Sequence, residues 1–96
     1  MFDNWLAKLK DLQARAKILA RIRRLEISDH FGDFKDFGDI GELRIDSGPG
    51  YRIYYTKVGD VIVVLLVGGE KSTQQSDIDK AKVLAKEVRK TDEYKS

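Results

Sequence analysis

The stretch GELRIDSGPGYRIYYTK, residues 41–57, decides the fold. From Gly41 to Asp46 the residues alternate: Leu43 and Ile45 point one way, Glu42, Arg44 and Asp46 the other. That two-residue period belongs to a strand with one covered face. Ser47-Gly48-Pro49-Gly50 reads as a turn, and residues 51–57 alternate again. Here Tyr51, Ile53 and Tyr55 lie on one side and Arg52, Tyr54 and Thr56 on the other. So short a connection makes the pair antiparallel. Val58-Gly59-Asp60 turns the chain once more. Residues 61–67 are then apolar on both faces, which suits a well-covered central strand that Gly68-Gly69 ends. The reading is a meander of three, or four, antiparallel strands.

Helices flank this sheet. Trp5, Leu6, Leu9 and Leu12 recur at helical spacing, with Asp3 or Asn4 placed to cap the start. Ala16, Leu19, Ala20, Ile22 and Leu25 make an apolar side on a second stretch, residues 14–27. Gln13 and Ala14 mark no break, so one bent helix and a short hairpin both fit. Lys17, Arg21 and Arg24 follow i, i+4, i+7 spacing and share a face; Arg23 lies off that row. Residues 28–41 read as a loop of turn formers interleaved with Phe31, Phe34 and Phe37, which would dock it on the core. After a polar loop at 70–75, a last helix spans residues 77–90, capped by Ser76 or Asp77. Its apolar stripe is Ile78, Ala81, Ala85 and Val88. Residues 91–96 form a polar tail that frays. The class is α+β, one domain over residues 1–96, with an N-terminal helical hairpin and a C-terminal helix.

Composition narrows the function. Ninety-six residues hold one core and no deep cavity, so no large cofactor is expected. Hydrophobic residues at 42% and charged residues at 35% describe a folded, soluble protein. The chain has no cysteine, which excludes disulfides and thiolate metal sites. The N-terminal residues lack the pattern of a signal peptide, and the seven-residue apolar run is far too short to span a membrane. These features point to a cytoplasmic protein without a membrane partner. Net charge is +2 but uneven. Residues 1–35 carry eight Lys/Arg against five Asp/Glu, residues 36–70 three against six, and residues 71–96 seven against five. Basic flanks around an acidic centre permit phosphate binding without demanding it.

If Leu43, Ile45, Ile53 and Tyr55 face the helices, the opposite sheet surface presents Glu42, Arg44, Arg52 and Tyr54. Two guanidiniums, a carboxylate and a phenol on one exposed surface suit phosphodiester chemistry: arginine forks bind phosphate oxygens and a neighbouring group moves a proton. The loop after the third strand adds Lys71 and Gln74. The residues alone fit better a simple ion pair between Glu42 and Arg44, worth at most about 1 kcal/mol. His30, the one histidine, sits in the loop and reads as solvated or capping. One histidine without cysteine builds no zinc site, no EF-hand spacing occurs, and Gly48-Pro49-Gly50 answers turn geometry rather than a phosphate loop.

In combination these residues resemble a known family. Glu42-Leu43-Arg44-Ile45 followed by Gly48-Pro49-Gly50-Tyr51-Arg52-Ile53-Tyr54-Tyr55 is similar to the E-L-R-I…G-P-G-Y-R-x-Y-Y core of HigB-like killer proteins in the RelE/ParE toxin superfamily. Leu65-Leu66-Val67-Gly68-Gly69-Glu70-Lys71-Ser72-Thr73-Gln74 resembles their L-L-x-G-G-x-K-S-T-Q segment, followed by Asp77-Ile78 and Ala81. Trp5-Leu6, Leu9 and residues 14–18 match the first two helices, so the resemblance covers nearly the whole chain.

The resemblance implies a RelE-like fold and a toxin neutralised by a cognate antitoxin, usually a helix-turn-helix protein through which DNA is met only indirectly. Members that are messenger-RNA interferases cut messenger RNA in the ribosomal A site. Arg52 matches the phosphate-stabilising arginine, helped by Arg44; Glu42 or Lys71 would assist proton transfer. Tyr54 would stack a base or orient the phosphate, Gln74 would touch RNA, and Lys17, Arg21 and Arg24 would meet ribosomal RNA. The cleavage needs no metal or other cofactor: the 2′-hydroxyl attacks the adjacent phosphate, leaving a 2′,3′-cyclic phosphate and a 5′-hydroxyl. Family members usually begin with a strand before the first helix. Its lack here would leave three strands with an exposed edge. The rival readings are a gyrase-poisoning toxin on the same scaffold and an inactive remnant.

Overall fold

The computed structural model describes residues 2–28, 34–36, 40–58 and 62–90. Helices α1 (Phe2–Lys8) and α2 (Leu12–Ser28) precede four strands: β1 (Phe34–Asp36), β2 (Gly41–Ile45), β3 (Tyr51–Val58) and β4 (Ile62–Glu70). A 3-10 turn, Lys71–Thr73, leads into α3 (Gln74–Lys90). The strands form one antiparallel sheet in the order β1-β2-β3-β4, so the predicted α+β meander with its C-terminal helix is what the chain adopts.

Alternation and register place the predicted partners. Glu42 pairs with Tyr54 and Arg44 with Arg52, while Leu43 pairs with Ile53 on the other face. On that other face Leu43, Ile45, Tyr51, Ile53 and Tyr55 meet Phe2, Ala14 and Ile18 from the two N-terminal helices. Helix α1 leans on β4 and α2 on β2. The second face is covered as well. Ile40, Tyr54, Leu66 and Val67 pack against Ile78, Ala81 and Ala85 of α3. A register shift between Tyr54 and Tyr55 leaves Leu66 as an extra residue on β4, which lets both Leu66 and Val67 join this second core.

Several expectations need correction. Of the two strand counts expected the sheet takes four, because residues 34–36, wrongly read as loop, pair with β2. The apolar strand after residue 61 is not central but closes the sheet order. Its two apolar faces report cover from α1 on one side and α3 on the other, not a place between two strands. The strand also runs through Gly68-Gly69 instead of ending there. A Cβ on Gly68 would overlap the Trp5 ring, and one on Gly69 would overlap the Asp77 carboxylate. Glycine therefore lets a helix approach each face of β4. Helix α3 begins at Gln74, three residues before the expected Asp77, because a 3-10 turn feeds it directly.

The N-terminal break is also resolved. Asp11 ends the ambiguity: its Oδ1 accepts from Ala14 N at 3.1 Å and its carbonyl from Arg15 N at 3.0 Å, capping α2. The inward line of α2 is Ala14, Ile18 and Ile22, not Ala16, Leu19 and Ala20, which are exposed, and Leu12 is exposed too. Two apolar stripes on one helix leave the choice to the sheet beneath it. The readings of His30, Phe31, Phe37, the 59–60 turn and the tail at 91–96 lie outside the described residues. No helix among the described residues is long and apolar enough to cross a membrane.

Candidate functional site

The β2–β3 turn sets the site. Gly50 N donates to Ser47 O at 3.0 Å, with Gly48 and Gly50 at φ of 53° and 82°, conformations that favour glycine. Lys71 N donates to Gly50 O at 2.8 Å and so ties the 3-10 turn to this hairpin. On the helical side, Arg21 Nη1 donates to Arg44 O at 3.3 Å. The result is a cleft of about 460 Å³ at the end of the sheet, lined among others by Arg21, Arg44, Asp46, Tyr51, Arg52 and Lys71.

Beneath it lies Glu42, fully buried. Its Oε2 accepts from the Tyr54 hydroxyl at 2.9 Å and from Gln74 Nε2 at 2.9 Å. Arg44 Nε donates to Oε1 at 3.4 Å. Arg52 Nε stands 3.5 Å from Oε2, close enough for an ion pair but not aligned for a hydrogen bond. Arg52 Nη1 donates to Gly50 O at 3.4 Å. Arg44 and Arg52 are directly opposed across β2 and β3, an arrangement in which like charges repel. The carboxylate below offsets that repulsion and fixes both guanidinium stems.

Four cationic side chains line the cleft, against Asp46 on its wall and Glu42 under it, so the site carries a net +2. Such a charge, with two guanidiniums among the lining groups, suits an anion with tetrahedral oxygens. Among the described residues, no three His, Cys, Asp or Glu side chains gather to hold a metal ion.

The candidates are thus brought together differently from the expectation of an open surface. Arg44, Arg52 and Lys71 do line one cleft, and Arg21 joins them from α2. Lys17 and Arg24 are exposed on α2 but do not line it. Glu42 and Tyr54 are not exposed, because α3 covers their face of the sheet. A fully buried Tyr54 cannot stack a nucleobase, and Gln74 turns its amide inward onto Glu42 instead of outward to RNA. Burial, then the Glu42 hydrogen bond and charge, raise the Tyr54 pKa; Arg52 opposes this but does not prevail. Tyr51 and Asp46 were missed as cleft residues. Tyr51 belongs to the core face by alternation, and only its place beside the turn brings it to the wall. Burial, with Asp11 and Glu70 nearby, raises its pKa as well.

Fold and cleft together define a small α+β protein with a cationic, arginine-lined cleft. The chain matches the family model "Phage derived protein Gp49-like (DUF891)" over residues 4–91, and it belongs to that family. It is 57% identical over 88 residues to an uncharacterized protein of Haemophilus influenzae (strain ATCC 51907 / DSM 11121 / KW20 / Rd), covering 91% of this chain and 88% of the relative. No solved structure matches the chain.

Proposed function

We propose that this protein is the toxin of a type II toxin–antitoxin pair, of the HigB-like kind in the RelE/ParE superfamily, and that it cleaves messenger RNA on the ribosome. The observation that carries the reading is the cleft itself: Arg44 and Arg52 opposed over one enclosed carboxylate, with Lys71 and Arg21 at the rim. Gp49-like membership and the resemblance of residues 42–55 and 65–74 to killer-protein motifs support it.

In this mechanism the substrate 2′-hydroxyl attacks the adjacent phosphorus and the bond to the 5′-oxygen breaks. A cyclic phosphate and a 5′-hydroxyl result. Arg52 and Arg44 stabilise the charge that builds on the phosphorane oxygens. Lys71, exposed at the rim, is the group placed to move a proton. Glu42 has its oxygens engaged by Tyr54, Gln74 and the two arginines, which suits it to hold the arginines and not to take the proton. The exposed Lys17 and Arg24 would extend the cationic surface toward ribosomal RNA. An antitoxin, of helix-turn-helix type in the resembling family, would hold the toxin silent in the cytoplasm.

The test is induced expression without an antitoxin, followed by primer extension on abundant transcripts. Cuts inside translated regions that vanish when translation is blocked, and that Arg52→Ala abolishes, are the expected result. Growth arrest without cuts would turn the reading to a protein target such as gyrase, and full toxicity of Arg52→Ala would remove Arg52 from the chemistry.

A further inference from the structure

We infer that Gln74 is a positioning residue, which acts through Glu42 to hold the Lys71 turn and the two arginines in register around a bound phosphate group. The inference rests on the cleft being a phosphate site, and it concerns residues that do not touch the phosphate themselves.

The geometry is specific. Lys71 and Gln74 lie on the same short segment, one starting the 3-10 turn and the other starting α3. Gln74 Nε2 reaches across to β2 and donates to Glu42 Oε2 at 2.9 Å, thirty-two residues away in sequence. That same oxygen is 3.5 Å from Arg52 Nε, and the other carboxylate oxygen is 3.4 Å from Arg44 Nε. One amide therefore links the segment bearing Lys71 to both guanidiniums. The Lys71 backbone is tied to Gly50 O at 2.8 Å, and Arg52 Nη1 shares that acceptor at 3.4 Å. The turn and Arg52 are thus joined twice, once above through Gly50 and once below through Glu42.

The pairing has a direction. Glu42 is fully buried and supplies the negative charge between two directly opposed arginines. Gln74 is half-buried and donates through Nε2 without adding a charge. Exchanging the two side chains retains an amide–carboxylate hydrogen bond but moves the charge away from the arginine stems. A carboxylate at the first residue of α3 is compatible with the helix dipole, so the exchange is not in itself hostile to folding. A purely structural link would survive the exchange, and a positioning one would not.

The experiment uses inorganic phosphate as the probe, titrated into the full chain against a chloride background of matched ionic strength. Binding is read from NMR amide shifts of Gly48, Gly50, Tyr51, Arg52 and Lys71, and thermal unfolding is measured in parallel. Wild-type protein is expected to bind phosphate in the cleft. Gln74→Leu is expected to weaken binding at least tenfold while remaining folded. The exchange variant, Glu42→Gln with Gln74→Glu, is expected to recover most of the thermal stability lost in Glu42→Gln alone and to leave phosphate binding at least tenfold weak. Recovery of phosphate affinity together with stability in the exchange variant would overturn the inference, as would a folded Gln74→Leu that binds phosphate like wild type. A wild-type cleft indifferent to phosphate at chloride-matched ionic strength would overturn it too. The toxin reading is judged separately. Phosphate binding with this variant pattern but no growth arrest would remove the toxin activity and leave the positioning role standing. Translation-dependent cutting with a fully active Gln74→Leu would do the reverse.

Discussion

Replacing Tyr54 with phenylalanine takes one oxygen out of the sheet's interior and probes the carboxylate hub directly. Tyr54 is fully buried and its hydroxyl donates to Glu42 Oε2 at 2.9 Å. A hydrogen bond to a charged partner contributes about 1.5–3 kcal/mol. Gln74 still donates to the same oxygen at 2.9 Å, so the carboxylate is not orphaned and the loss should be about 2 kcal/mol at pH 7. This cost depends on pH with a definite sign. Burial, followed by the hydrogen bond and charge of Glu42, raises the Tyr54 pKa above its ordinary value of 10.0. The folded chain therefore keeps a phenolic proton that the unfolded chain releases above that value. The stabilisation is complete below the ordinary pKa and is lost as pH rises toward the folded one. At pH 11 the unfolded wild type has gained about 1.4 kcal/mol from this group, a gain the variant lacks. The gap between the two proteins should then shrink from about 2 kcal/mol at pH 7 to below about 1 kcal/mol at pH 11. Urea unfolding followed by circular dichroism across that range measures it, because lysine titration cancels in the difference. A penalty that is constant or grows with pH would refute the buried Tyr54–Glu42 bond.

Three further outcomes follow from the same geometry. Asp11→Ala removes the cap on Ala14 N and should cost about 1 kcal/mol, read as a fall in thermal midpoint of roughly 4–8 °C. Gly68→Ala forces a methyl group into the Trp5 ring and should cost about 1–3 kcal/mol, with a changed Trp5 emission spectrum that Gly50→Ala does not produce. Arg52→Ala and Arg44→Ala should differ in urea melts. The Arg52 side chain is 10% exposed, and its loss should cost about 2 kcal/mol, less than breaking a lone buried pair because Glu42 keeps other partners. The Arg44 side chain is 41% exposed, and its loss should cost under about 1 kcal/mol. Equal costs would show that the carboxylate does not favour the inner guanidinium.

Local pattern determined a good deal. The alternation of residues 41–57 specified two strands and which side chains share a face, and register bears this out: Glu42 opposes Tyr54 and Arg44 opposes Arg52. The stripe Ile78, Ala81, Ala85 and Val88 specified the buried side of α3. These are properties of a few neighbouring residues and a fixed backbone period, so they can be read without knowing the fold. What covers each face cannot. Glu42, Arg52 and Tyr54 read as an outward polar surface, because alternation separates two faces but does not say that both are covered. Only the docking of α3 decides that, and it is tolerated because Tyr54, Gln74 and the arginines satisfy the buried carboxylate. The same limit explains α2, whose two apolar stripes differ only in which one meets the sheet, and β4, whose two apolar faces reflect the two helices over it. The residues of the cleft were legible as a set of cations. Their division into those that line the cleft and those that hold the lining groups in place came from the tertiary structure, since charge and hydrogen-bond partners are assigned across β2, β3 and α3 and not along any one of them.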